Sequence, residues 1–384
     1  MTPIVFSIIF FSVLAFLSWL SFFDSEPLGK NKFLFSLLCI YIICFLGLRN
    51  QYVGTDTPFY VEYFLYPQSG YRGNEQDIGY SFFNAIIRAF STNVTFYLFA
   101  SNLVALSGLL VLIYKKSSNY LLSLCLFWIF SVSSNIFSYY CGMQRQIISM
   151  GFCFFAIYFW TKYNCKYRTL LALVAFLIAF SIHTTSLFCF VLYMLGCKIR
   201  INDTNVRKFM IVVFATYILG CLTTSLNSVL NAALQIVGLA DNHYAVYVNG
   251  QSSAEDITAT YKSYSLFINM LSFPLTVITE LMLYVKYKRN DFLHSDILFG
   301  CFLIGVIVNN VFVSNVIWGR LTCYATMLFL ICIPNFLETL KFELKYMLWT
   351  SIWALYVFKT SKVLLHQISS NASGNIYIPF TFFN

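Results

Sequence analysis

Residues 93–114 run for twenty-two positions without a charged side chain. Apolar stretches of similar length recur near 3–23, 33–48, 118–135, 143–161, 208–228, 264–285, 296–313, 319–337 and 346–365. A helix needs about 20 apolar residues to cross the hydrocarbon of a bilayer. The runs are helix-length, unlike the roughly ten-residue alternating segments of a membrane barrel. Only 10% of the 384 residues are charged, whereas a soluble domain carries about 25%. The expectation is an all-α, multi-pass membrane protein. It would form a single integral domain over 1–384, with about twelve transmembrane helices. The first run has no small-residue cleavage site after a short apolar core, so it is expected to stay as a helix.

Basic clusters orient the chain, because lysine and arginine accumulate on the cytoplasmic side. Lys30/Lys32, Lys115/Lys116, Lys162/Lys166/Arg168, Lys198/Arg200/Arg207/Lys208, Lys286/Lys288/Arg289 and Lys341/Lys345 fall between runs that alternate consistently. The remaining basic residues are Arg49, Arg72, Arg88, Arg145, Lys262, Arg320, Lys359 and Lys362. They fall outside, or at the outer ends of helices. Twelve of the fifteen lysines are thus inside, but five of the nine arginines are outside. Arginines kept against the positive-inside trend point to a task for a planar, permanently charged fork, namely carboxylate or phosphate binding. The plainer alternative is pairing with Asp56, Glu62, Glu75 or Asp77 nearby. It applies to Arg72 and Arg88 more than to Arg145 and Arg320, which have no carboxylate close in sequence.

Thr169 to Cys197 is a run of 29 uncharged residues with basic clusters on both flanks. Flanks on one side require an even number of crossings. Two arms of roughly 13 residues rise only about 20 Å each, short of a core near 30 Å. The spacing predicts a hairpin of two short helices with "SIHTTS" at its apex. Non-helical backbone at membrane depth must face protein or a water-filled cavity. His183 would then sit at the floor of an outward-facing cavity. The alternative is one long tilted helix with His183 hydrogen-bonded in the bundle.

Two outer segments are expected, 49–92 and 229–262. In the first, "IGYSFFNAIIRAF" has apolar residues at helical spacing and reads as an amphipathic interfacial helix. Proline discourages helix in the residue before it. Pro58 therefore places Thr57, and Asp56 before it, on non-helical backbone. The second segment is rich in tyrosine and small polar residues. It suits either saccharide contact or an interfacial aromatic belt. The cysteines lie mostly inside apolar runs and read as small hydrophobes. There is no phosphate-binding glycine loop, no metalloprotease motif and no nucleic-acid signature.

Four features converge on the outer side: Arg49 with Asp56 in "RNQYVGTDTPFY", Arg145 in "GMQRQIIS", His183 in "SIHTTS", and Arg320 in "WGRLTCYA". Charged groups at membrane depth are functional candidates because they are costly to keep. Arginines can neutralise an anionic leaving group, and a carboxylate or imidazole can take a proton from an attacking hydroxyl. No metal is needed if arginines alone carry a diphosphate's charge.

Taken in order, these pieces resemble the EpsG/Wzy family of bacterial O-antigen and exopolysaccharide polymerases, over about residues 30 to 340. The usual pattern has an aromatic directly after the aspartate. Here Thr57 and Pro58 stand there, with Tyr60 further on. The resemblance implies a GT-C-like glycosyltransferase of the bacterial inner membrane with its site facing the periplasm. Its donor would be a growing glycan on undecaprenyl diphosphate. Its acceptor would be a repeat unit on a second undecaprenyl diphosphate. On this reading Arg49, Arg145 and Arg320 bind diphosphate, and no cofactor is required. His183 and Asp56 compete as the base; otherwise Asp56 orients His183 or holds Arg49. Tyr60, Tyr324, Gln144 and Tyr244 are candidate sugar or lipid contacts. Membrane lipids and a separate chain-length regulator are the expected partners. A flippase for lipid-linked glycans and an O-antigen ligase are the alternatives. A flippase should need charge deep in the inner half, for which Glu280 is the acidic candidate.

Overall fold

The computed structural model describes residues 30–54, 56–67, 77–133, 140–162, 166–202, 204–222, 272–289, 296–312 and 316–354, with isolated positions before residue 18. The expected segment 229–262 with Tyr244, Arg72, and most of the first and last apolar runs lie outside them. The described residues are all-helical, without a β-strand.

The helices begin where capping chemistry allows. Asn31 opens α1 (Lys32–Gly47), its side chain accepting from Leu34 N at 3.0 Å. Two helices follow within the expected outer segment 49–92, α2 (Thr57–Leu65) and α3 (Ile78–Phe90). α2 corrects the sequence reading. Pro58 sits in its first turn, where a missing N–H costs nothing, so Thr57 is helical. Asn93 caps α4 (Val94–Lys116) by accepting from Phe96 N at 3.0 Å. Its last turn carries Lys115 and Lys116, which favour the negative end of the helix dipole.

Next come α5 (Tyr120–Ser133), α6 (Gln144–Trp160), α7 (Arg168–Ile182), α8 (Ser186–Lys198) and α9 (Val206–Leu222). After them come α10 (Ser272–Arg289), α11 (Asp296–Val311), α12 (Val316–Thr326) and α13 (Phe329–Leu337). The hairpin expected over 169–197 is present as α7 and α8, broken at His183–Thr185. Its arms part: α7 packs mainly on α6, and α8 on α11. The run 319–337 is also broken, bending by 42° between α12 and α13. Pro334 cannot donate to the Leu330 carbonyl and crowds it. At the break itself, the Leu328, Leu330 and Ile331 amides donate to residues three back, at 3.0–3.2 Å.

Tight crossings hold the bundle together. A Cβ on Gly151 of α6 would lie 2.7 Å from the Ala105 carbonyl oxygen of α4, so these backbones touch directly, as small residues permit. The outward faces are apolar. On α7, Ala172, Ala175 and Ala179 are buried while Leu170, Leu173, Val174, Leu177 and Phe180 are exposed. α9 likewise exposes Ile211, Phe214 and Leu219. Apolar surface this continuous marks a face that contacts protein or membrane. Among the described residues one helix, Val94–Lys116, is long and apolar enough by itself to cross a membrane, or two if the bent pair counts as one span. Lys32–Gly47, Arg168–Ile182, Ser186–Lys198 and Ile297–Val311 are apolar but shorter.

The charged groups sort into two poles. At one, Lys116 Nζ donates to Thr161 O at 3.1 Å, Asn335 Nδ2 to Lys116 O at 2.9 Å, and Lys345 pairs with Glu338 at 3.1 Å. Clusters that the sequence put on one side thus meet in space. At the other pole lie Arg49, Asp77, Arg145, His183 and Arg320.

Candidate active site

The stretch after α1 is pinned to the chain that leads into α6. Arg49 is fully buried. Its Nε donates to Val53 O at 3.3 Å, its Nη2 to Cys141 O at 2.8 Å, and its Nη1 to Leu46 O. The single Thr57 hydroxyl proton is shared between Val53 O, at 3.0 Å, and Cys141 O. Gly54 makes the turn at φ 108°, which L side chains rarely adopt. A Cβ there would also strike the Cys141 carbonyl. This corrects the assignment of Arg49 to diphosphate binding. Its fork is spent on three backbone carbonyls in a closed pocket. Arg49→Ala should therefore lose on the order of 3 kcal/mol of stability, because the buried carbonyls lose their donors. Arg49→Lys should lose stability too, since an ammonium cannot reproduce the fork. The thermal midpoint of the detergent-solubilised protein checks this. Lost ligand affinity in a fully stable variant would instead restore the binding role.

His183 stands on extended backbone (φ −157°, ψ 121°) at the end of α7. Its Nδ1 is 3.4 Å from Asp77 Oδ2, and the same oxygen is 3.4 Å from Arg145 Nη1. The side chains are 16% (His183), 17% (Asp77) and 27% (Arg145) exposed, enclosed enough to strengthen their interactions yet reachable. The carboxylate that meets His183 is therefore Asp77, not Asp56. Asp77 immediately precedes α3, but its side chain does not cap that helix. Two features of the sequence pointed to it weakly: a carboxylate at a helix start, and the amphipathic pattern behind it. Its partners lie 68 and 106 residues away, beyond any local pattern.

Gly79 explains the meeting. A Cβ there would collide with the Ser181 side chain and backbone on α7. Only glycine lets α3 lie this close and bring Asp77 to the hairpin apex. The face that α3 buries is Tyr80, Asn84 and Ile87, while Ile78, Phe82, Ile86 and Phe90 stay exposed. Gly79→Ala should lower the reaction rate at least ten-fold and cost about 1–3 kcal/mol through overpacking. Turnover measured alongside the thermal midpoint checks it; a rate equal to wild type would show that the Asp77–His183 spacing is not critical.

Around Arg145 the chain supplies further polar groups. The Tyr60 hydroxyl lies beside the Arg145 guanidinium, within electrostatic range of Asp56 and Arg320. Burial pushes the Tyr60 phenol above its ordinary value, and Arg145 opposes this. Tyr60 thus keeps its proton near neutral pH and can donate it to an anion. Asp56 occupies the N-cap position of α2 with φ −99° and ψ −5°, within electrostatic range of Tyr60. Gln146 Nε2 donates to Arg320 O at 2.9 Å, tying α6 to α12. Arg145 Nε, Arg320 Nε and both amide atoms of Gln144 are buried with no hydrogen-bond partner. Buried polar groups are normally satisfied, which makes these unpartnered atoms candidates for contact with a ligand. Tyr324 is fully buried instead of lining the site. Its hydroxyl meets Thr185 Oγ1 at 2.9 Å, and its carbonyl accepts from Tyr193 at 2.9 Å. It ties α12 to the hairpin apex. Arg88 is also structural, donating to Phe64 O at 2.8 Å near the end of α2.

The arrangement pairs an imidazole backed by a carboxylate with two arginines and a neutral phenol. That is the equipment for deprotonating a hydroxyl beside an anionic group. The chain matches the EpsG family over residues 32–382. It belongs to the EpsG family. All the site residues named above lie within the matched range. The EpsG family is associated with polysaccharide biosynthesis and points to a polymerase-like function in a membrane protein. No curated protein and no solved structure gives a match to this chain.

Proposed function

We propose that this EpsG-family chain is a surface-polysaccharide polymerase of the bacterial inner membrane. It is read as one integral domain, multi-pass, with about twelve crossings in a GT-C-like arrangement. The pole holding His183 would face the periplasm. The observation that carries the reading is the meeting of His183, Asp77 and Arg145 beside idle buried donors of Arg145 and Arg320.

In the proposed reaction a hydroxyl at the non-reducing end of an acceptor repeat unit attacks the anomeric carbon of the donor glycan. Both substrates ride on undecaprenyl diphosphate. The new carbon–oxygen bond forms as the bond to the diphosphate breaks. The bonding electrons leave with the diphosphate, whose charge Arg145 and Arg320 offset. The hydroxyl proton passes to His183 Nε2. Asp77 at Nδ1 orients the ring for this, as a carboxylate does in a catalytic triad. The step requires no metal or cofactor when arginines carry the leaving-group charge. Tyr60 donates to the diphosphate or a sugar hydroxyl, and Gln144 adds a polar contact. A separate regulator would set chain length.

The test is reconstitution of the purified protein with synthetic lipid-diphosphate repeat units, without nucleotide or metal. A ladder of longer lipid-linked glycans is expected. Absence of a ladder, or one undiminished by Arg145→Ala together with Arg320→Ala, would sink the mechanism. A lipid-linked glycan transporter is the second reading. It is favoured by Glu280, which lines a cleft of about 390 Å³ between α9 and α10 and leaves Oε1 buried and unpartnered. Flipping of labelled substrate across vesicles without any ladder would select it.

A further inference from the structure

Asp77 presents one oxygen to two donors and satisfies neither well. Both contacts, to Arg145 Nη1 and to His183 Nδ1, are 3.4 Å long and end on Oδ2. Charge-assisted hydrogen bonds between such groups normally close to about 2.7–2.9 Å. Arg145 Nε is buried and idle, and Asp77 makes no cap bond to its own helix. Arg145 also hydrogen-bonds the Tyr60 phenol, a neutral group, whereas Asp77 offers it a negative charge. The carboxylate is therefore shared between the anion-binding side of the site and the base.

We propose that Asp77 is a positioning residue that couples the two. In the empty site it holds Arg145 in place of the anion. A prenyl diphosphate offers Arg145 more charge and several oxygens in fork geometry, so the guanidinium turns to it and releases Asp77. Oδ2 then closes on His183 Nδ1–H alone. That bond fixes the tautomer with the Nε2 lone pair facing the acceptor hydroxyl. The base is primed only once a leaving group is in place. A donor-first order follows, with the acceptor proton removed last.

This rests on the polymerase reading for the identity of the anion, and the test separates the two. Farnesyl diphosphate binding is measured on the full-length, detergent-solubilised protein, beside the ladder assay. Removing the competing carboxylate should free Arg145 while disarming the base. Asp77→Asn is therefore expected to bind farnesyl diphosphate about ten-fold more tightly, about 1.4 kcal/mol, while turning over at least ten-fold more slowly. Asp77→Ser carries the same expectation should the asparagine variant fold poorly. In an Arg145→Ala background the tightening should shrink to less than about two-fold, because the two residues act as a pair. A merely structural role for Asp77 would weaken binding and turnover together. Equal or weaker binding by both Asp77 variants overturns the coupling and leaves the polymerase reading standing. A wild type that does not bind farnesyl diphosphate, or an Arg145→Ala variant that binds it as well as wild type, removes the polymerase reading itself.

Discussion

His183→Gln should lower glycan polymerisation about 10²–10⁴-fold, the usual worth of a positioned acid–base group. Glutamine keeps much of the size of the ring and an amide donor toward Asp77, so the hairpin apex should stay folded. What it lacks is a nitrogen that can accept a proton near neutral pH. Farnesyl diphosphate affinity should remain within a few-fold of wild type, since the arginines are untouched. Burial holds the His183 imidazole below its ordinary value near 6.5, so the wild-type rate should fall only as pH drops below that range, because the base acts only when unprotonated. The sign is testable: the residual rate of His183→Gln should not show that acid limb. A variant within ten-fold of wild type would transfer the base role to Asp56, which stands near Tyr60 at the start of α2.

The second large effect concerns the leaving group. Arg145→Ala or Arg320→Ala should each lower turnover about 10²–10³-fold, comparable to removing one preorganised donor from a developing anion. Arg145→Lys should recover little, because a point charge cannot fork across a diphosphate. The double variant should fall short of the product of the two single effects, since both groups serve one leaving group. Ladder assays with the three variants check the rates, and farnesyl diphosphate titration checks the binding. Retained affinity in the double variant would place the diphosphate elsewhere.

Much of the fold was legible in the sequence because hydrophobic runs and lysine clusters are local signals. Val94–Lys116 was readable within two residues, and the α7–α8 hairpin followed from a length too short for two crossings. Asn335 bonds to the Lys116 carbonyl, and Lys345 pairs with Glu338 nearby. His183 was found for the same reason: its place at the apex depends only on the spacing of the flanking charges. The α2 helix was missed because Pro58 was weighed as a helix breaker, while in a first turn it is tolerated.

The sequence by itself determined an all-helical apolar chain, the hairpin apex, and a candidate set of arginines with His183. Tertiary structure decided which of those charges act together. Arg49 became a clamp because it found the carbonyls of Leu46, Val53 and Cys141, and carbonyls are common to every residue and leave no mark in a sequence. Asp77 displaced Asp56 as the partner of His183 because Gly79 lets α3 touch α7 at Ser181. That contact joins positions over a hundred residues apart, and only the packed backbone brings them together.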